Sequence, residues 1–125
     1  MVGQAGGVDL DHLNLRVRDP AACRAFYERW FGFEHVFDAD GGPFLRNDAG
    51  FLLALVPADP HQPLPSGFHI GFRLASADDL VARRAEMGAA GVTVSDVDDH
   101  RPGSDYVSFR CADPDGTEIE QFWDG

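Results

Sequence analysis

The chain contains no lysine: all ten basic residues are arginines, set against 21 Asp and Glu, for a formal charge of −11 at pH 7. Non-specific binding to nucleic acid needs clustered positive charge to meet the phosphates, and no basic block is present, so that function is excluded from the expectations. Only two cysteines, Cys23 and Cys111, occur in 125 residues. They are too few and too widely separated for a disulfide scaffold and are expected to be free thiols. No apolar run approaches the roughly 20 residues a membrane helix requires, and the opening MVGQAGGVD has neither the basic start nor the apolar stretch of a secretory signal. A cytoplasmic protein without membrane or nucleic-acid partners is expected. Core material is plentiful, with 44% hydrophobic and 11% aromatic residues. That is too much for a disordered acidic tail, and the length suits a single domain, residues 1–125.

Val8 to Val17, VDLDHLNLRV, alternates: Leu13, Leu15 and Val17 share one strand face, and His12, Asn14 and Arg16 share the other. Asp19-Pro20 opens a helix with Ala22, Phe26, Tyr27 and Trp30 at helical spacing, and Gly32 stops it. Phe33–Phe37, Phe44–Arg46 and Phe51–Val56 then read as strands between the turn-rich DADGG and NDAG. The stretch from Pro57 to Gly67 holds four prolines in eleven positions and reads as a linker, 57–66. After it the pattern restarts. Phe68, Ile70, Phe72 and Leu74 form an apolar strand face expected under a second helix, with His69, Gly71 and Arg73 opposite; Ser76 caps that helix, which runs to about Met87. Val92–Val94, Tyr106–Cys111 and Thr117–Trp123 are the remaining strands.

His12 and His69 each stand seven positions before a helix cap and 57 residues apart. The fold class is therefore α+β: two βαβββ modules, about 8–56 and 67–123, paired into a curved mixed sheet around a cleft with helices outside. Halves of this size bury too little surface to stand alone. The pairing occurs within one chain, or by exchange across a homodimer through the linker.

The polar strand faces are where chemistry is expected, since burying them without partners is costly. His12, His69 and, on the last strand, Glu118 and Glu120 with Phe122 converge on one cleft in this reading. Two imidazoles and a carboxylate, His12, His69 and Glu120, suit one divalent ion, Fe, Mn, Ni or Zn, with coordination positions left open for substrate. Taken singly, each histidine reads as a hydrogen-bonded structural or surface residue; the paired register is what raises them.

Four segments carry a family resemblance: DHLNLRVRD at 11–19, AFYERWFGF at 25–33, FHIGFRL at 68–74 and DPDGTEIEQF at 113–122. The chain resembles the vicinal oxygen chelate superfamily, the glyoxalase/bleomycin resistance/dioxygenase group, over nearly its whole length. The resemblance places the family's metal ligands on His12, His69 and Glu120. It also implies a small oxygen-chelating substrate, lyase, isomerase or extradiol-type dioxygenase chemistry, and a homodimer. Four-ligand members add a Glu or Gln from the last strand of the first module, where this chain has FLLALVP. That departure fits the His, His, Glu branches better than the four-ligand glyoxalase I and epimerase branches.

Glu118, Tyr106 and His100 are the candidate proton carriers. Asn14, Arg16, Arg73, Phe44 and Phe122 are candidate substrate contacts, with Arg16 and Arg73 four residues after the two histidines. Ion pairs with the many carboxylates are the plainer role for each arginine, and the missing lysines disfavour thiol transfer to phosphonates. DPDG reads as a turn, lacking the length of a calcium loop, and the Gly6-Gly7 and Gly41-Gly42 pairs read as tail and turn. Two further functions compete with the metalloenzyme: a metal-free protein that binds and sequesters a small molecule, as bleomycin-resistance relatives do, and a regulatory or structural domain.

Overall fold

Strand β1, His12–Val17, buries Leu15 and Val17 and exposes His12, Asn14 and Arg16, as its alternation requires. The structure, a computed structural model, describes residues 7–58 and 63–125. Val8 and Leu10 stay 74% and 91% exposed. The strand starts at His12 and not at Val8 because its parallel partner begins only at Leu52, and His12 pairs with Leu52. Helix α1, Pro20–Phe31, opens with the Asp19 carboxylate accepting from the Ala22 amide at 3.1 Å and closes on Gly32, whose φ of 65° is readily adopted only without a Cβ. Its buried stripe is Cys23, Phe26, Tyr27 and Trp30. Cys23 takes the place expected of Ala22, one position along, and α1 packs on β3, Gly42–Arg46, and β4, Leu52–Pro57.

Strand β2, Glu34–Ala39, returns to β3 through Asp40 and Gly41, with φ of 53° and 84°. Positive φ at both central residues is the hairpin turn whose twist matches its strands. Gly42 lies inside β3, not in the turn where its pairing with Gly41 suggested. The four strands form one mixed sheet in the order β1-β4-β3-β2, parallel only between β1 and β4.

The second unit, residues 63–125, repeats this plan. Strand β5, His69–Arg73, lies at one edge of the second sheet and pairs in parallel with β8, Glu118–Trp123; β7, Val107–Ala112, and β6, Asp98–Asp99, follow, in the order β5-β8-β7-β6. Helix α2, Ala77–Ala89, is capped by Ser76, whose hydroxyl accepts from the Asp79 amide at 3.0 Å, and Asp78 and Asp79 meet the positive end of its dipole. It packs on β7, Val107–Ala112, and β8, Glu118–Trp123. The expected apolar face of β5 is less covered than its pattern suggested: Phe68 is 37% exposed, and Ile70 and Phe72 are half-buried. β5 is an edge strand, and the centre of the helix-facing surface belongs to its neighbours. Replacing Ser76 with alanine is expected to cost about 1 kcal/mol, read as a lowered urea midpoint, because one amide at the helix start loses its acceptor.

The expected strand Val92–Val94 is reduced to a single bridge, Val94 to Cys111. The edge of the sheet is instead β6, two residues long, Asp98–Asp99, paired with Ser108 and Val107. A two-residue strand has no periodicity to read. Beneath α2 the fully buried Gln121 amide donates to the sulfurs of Met87 and Cys111, both at 3.3 Å, and its carbonyl accepts from Arg83. Burial pushes the Cys111 thiol pKa up, and both cysteines are free. Asp113 holds the DPDG turn: its carboxylate accepts from the Asp115 and Thr117 amides at 2.9 Å, which makes that motif structural. Of the expected linker, residues 59–62 lie outside the described residues, as do residues 1–6 with Gly6, and Pro57 ends β4.

Candidate functional site

The helix-free face of the second sheet is set by register. His69 lies beside Glu118, Gly71 beside Glu120 and Arg73 beside Phe122 across the β5–β8 pair; on the other flank Arg110 lies beside Glu120 and Ser108 beside Phe122. Side chains alternate along a strand, so these residues share one surface while Ile119 and Gln121 go to the core. A Cβ on Gly71 would make only ordinary contacts, 3.5 Å from the Phe122 ring, and its absence leaves the space beside Glu120 open between His69 and Arg73.

His69 is oriented by its own loop. Its Nδ1 lies 3.0 Å from the Gly67 carbonyl, which can only accept, so Nδ1 is the donor and the neutral ring presents a lone pair at Nε2. Nε2 faces Glu120 Oε1 at 3.6 Å. The other carboxylate oxygen, Oε2, accepts from the Tyr106 hydroxyl. Burial first, then the hydrogen bond and negative charge of Glu120, push the Tyr106 pKa up to about 12, so at neutral pH this phenol is a proton-bearing donor that orients the carboxylate.

In the first unit His12 repeats the arrangement. Its Nδ1 is 2.7 Å from Asp11 Oδ1, and Nε2 is left for another partner. The other two histidines with described partners are held the opposite way: His35 Nε2 meets Asp38 at 2.8 Å and His100 Nε2 meets Asp98 at 3.1 Å. An oxygen on one ring nitrogen with the other nitrogen free, as at all four of these histidines, suits an imidazole to a metal; His12 and His69 differ from the other two in leaving Nε2 as the free nitrogen. The spacing also suits the ion, since two donors on tetrahedral bonds of about 2.1 Å stand roughly 3.4 Å apart. His69 and Glu120 thus fit two positions of a divalent-metal site. Among the described residues, no group of three or more His, Cys, Asp and Glu is gathered for a metal ion. The register also explains the missing fourth carboxylate: Glu120 sits two residues along from the His69 pairing, and the matching place in the first unit is Ala54, beside Asn14.

The other expected site residues are placed as follows. The Glu118 carboxylate accepts from Arg110 at 2.7 Å. His100 is exposed, with its ring 5.8 Å from that of Tyr106. Arg73 makes a two-pronged pair with Asp124, at 3.0 and 3.1 Å, and lies over the Phe122 ring; the hydrogen bonds hold the Asp124 carboxyl below its usual range. Phe122 stacks on Tyr106. Asn14 and Arg16 are exposed on β1, and Phe44 stacks on Phe37 with ring centroids 4.7 Å apart. Beside Glu120 a cavity of about 520 Å³ opens, lined by Ser95, Asp98, Tyr106, Ser108 and Arg110. Ser108 and Asp98 were not among the candidates. Ser108 had a legible signal, since strand alternation puts it on the face of Arg110, whereas Asp98 had none.

Next to Asp98, Arg101 clasps Asp99 through two guanidinium contacts and its own amide, which hold the Asp99 carboxyl at about 2. The pair contributes above the usual carboxylate range and is lost as pH falls through that depressed value. In Arg101→Ala, a carboxyl NMR titration is expected to find Asp99 returned toward its ordinary 3.8.

Comparison with known proteins bears on the family and the fold. A solved structure of a possible glyoxalase from Bacillus cereus is 27% identical, with a TM-score of 0.76 and coverage of 91% of this chain and 97% of that one. The fosfomycin resistance protein FosX of Listeria monocytogenes, at 21% identity, gives a TM-score of 0.80 over 94% of each chain. A variant of FosX has been crystallised with Mn(II) and 1S,2S-dihydroxypropylphosphonic acid. In sequence, 92 residues are 36% identical to a catalase-peroxidase from Ruegeria pomeroyi; the match takes in 70% of this chain and spans 11% of that protein's length. The family model of the Glyoxalase/Bleomycin resistance protein/Dioxygenase superfamily matches residues 9–121. With the repeated βαβββ modules and that match over most of its length, the chain belongs to the glyoxalase/bleomycin resistance protein/dioxygenase superfamily.

Proposed function

We propose that the chain is a metal-dependent enzyme that binds one divalent first-row ion through His69 and Glu120, with His12 as the third protein donor, and acts on a small oxygen-bearing molecule. The observation that carries this reading is the matched preparation of the two imidazoles. Nδ1 of each is bound to an oxygen within two residues, Nε2 of each is left for a ligand, and that of His69 faces a carboxylate held from behind by Tyr106. The Mn(II) complex of the FosX variant supports a metal role in a protein of this fold.

A bound ion supplies Lewis-acid stabilisation of negative charge developing on a substrate oxygen. The chain's own part is orientation. Gly67 and Asp11 fix the imidazole tautomers, Tyr106 directs Glu120 Oε1 toward His69, and Gly71 leaves the approach open. Arg110 holds Glu118 in an ion pair at 2.7 Å, so that carboxylate is occupied unless a ligand draws Arg110 away.

The test is elemental analysis of protein purified without an affinity tag, compared with a His12→Ala, His69→Ala double variant. Wild type is expected to hold close to one Fe, Mn, Ni or Zn per chain and the double variant close to none. Equal metal content in the two, or none in wild type after resupply of all four ions, overturns the reading. Ligand binding that survives rigorous chelation would then favour the metal-free binding protein.

A further inference from the structure

The cavity beside Glu120 has a feature that the metal reading does not use. Ser108 lines it, is only 6% exposed, and has no hydrogen-bond partner for its hydroxyl among the described residues. Buried hydroxyls are nearly always paired, and one that lines a cavity without a protein partner marks a position where a ligand atom or water completes the bond. Across the β6–β7 pair Ser108 stands directly beside Asp98, which lines the same cavity.

The remaining charges say what kind of molecule fits. Arg110, a cation on the wall, is taken up by Glu118 at 2.7 Å, and Asp96 is met by Arg84 at 3.6 Å. Asp98 has an exposed partner, His100, on one oxygen only. Beyond Glu120, the cavity therefore offers a carboxylate acceptor, a hydroxyl that both donates and accepts, and the Tyr106 ring, whose hydroxyl is already given to Glu120, with no uncommitted cation. Away from the metal position at Glu120, an anionic group would meet the Asp98 carboxylate and find Arg110 already paired with Glu118, whereas a hydroxyl can donate to Asp98 and exchange a bond with Ser108. The volume of about 520 Å³ lies within the ordinary range for small-molecule sites.

We infer that this cavity binds a neutral, hydroxyl-bearing small molecule through Ser108 and Asp98, and that these two residues set the specificity of the proposed site against phosphonate and carboxylate ligands. The inference rests on the metal reading only in taking Glu120 as the reacting end of the cavity.

The experiment titrates the full chain with myo-inositol and methyl β-D-glucopyranoside as neutral probes, and with methylphosphonate and acetate as anionic ones. Amide NMR shifts at Ser108 and Asp98 are followed in metal-loaded and in chelated protein. At least one neutral probe is expected to shift both amides in both forms and to bind about tenfold or more tightly than either anion in chelated protein. Ser108→Ala is expected to weaken that binding about tenfold while leaving the thermal midpoint unchanged or higher, because alanine removes an unpaired buried hydroxyl; Asp98→Asn is expected to narrow the gap between neutral and anionic probes. The inference is overturned if no neutral probe binds, if the anions bind as well in chelated protein, or if Ser108→Ala leaves affinity unchanged. A lowered midpoint in Ser108→Ala would also count against it, since the hydroxyl would then have a structural partner. Metal content measured on the same samples separates the two readings: a protein that holds no metal but binds the neutral probe loses only the metal assignment, and one that holds metal but ignores the probe loses only this inference.

Discussion

Replacing Glu120 with alanine is expected to take bound divalent metal from close to one ion per chain to near zero, with the far-ultraviolet circular dichroism of the protein unchanged. The loss is large because Glu120 is the single carboxylate in the proposed ligand set, and removing it leaves two neutral imidazoles to hold a dication. The fold survives because β8 is anchored from its other face, by the fully buried Ile119 and Gln121. Tyr106 loses its acceptor, but it is only half-buried and water replaces the bond at a cost of about 1 kcal/mol. A graded companion separates ligand from support: Tyr106→Phe keeps the carboxylate and removes only what orients it, so occupancy at saturating metal is expected to persist while affinity falls about 10- to 100-fold. Calorimetric titration with Mn(II) checks both. Wild-type affinity in Glu120→Ala would remove Glu120 from the ligand set.

The architecture was legible in the sequence wherever periodicity met a terminator. Asp19-Pro20 and Gly32 bracket α1, and Ser76 opens α2. The apolar and polar alternation of β1 and β8 assigned the right faces, which placed His12 and Glu120; His69 stands on the polar face of β5, an edge strand whose apolar face is less covered than its pattern suggested. What escaped was whatever depends on a neighbour rather than on local pattern. The start of β1 is decided by where β4 begins, 40 residues away. The edge strand β6 is two residues of Asp, a residue type depleted in strands, and exists because β7 offers it a partner. The role of Arg73 could not be read from its symmetry with Arg16, because its partner Asp124 is brought to it by pairing between β5 and β8. The tautomers of His12 and His69 likewise depend on oxygens whose positions only the folded loops fix. The family resemblance therefore supplied the proposed ligand set, while the contacts of Tyr106, Gly67 and Asp11 with it came from the structure.

Gly42→Ala is expected to destabilise the protein by about 3 kcal/mol or more, the largest effect expected of alanine at any of the described glycines. The added Cβ would lie 1.9 Å from the Leu55 carbonyl oxygen and 2.9 Å from its carbon. Both are backbone atoms of β4, an inner strand flanked by β1 and β3, so neither can rotate aside as a side chain would. Leu53 and Leu55 are fully buried, and moving the strand to relieve the clash would open the core under α1. The chain thus uses glycine at this point for close approach of two backbones, while Gly41 beside it serves the left-handed turn. Gly50→Ala is the control: its φ of 86° imposes a conformational cost of about 1–2 kcal/mol, but no atom lies within 4 Å of the new methyl group. Urea unfolding of the two variants should therefore separate close packing from backbone strain, with Gly42→Ala losing far more of the midpoint or failing to fold. Because β4 also carries β1 as its parallel neighbour, displacement of Leu55 reaches the strand that begins at His12. Any folded fraction of Gly42→Ala is then expected to bind metal more weakly than Gly50→Ala. Equal unfolding midpoints for the two variants would show that β3 does not approach β4 closely enough at Leu55 for the methyl group to matter.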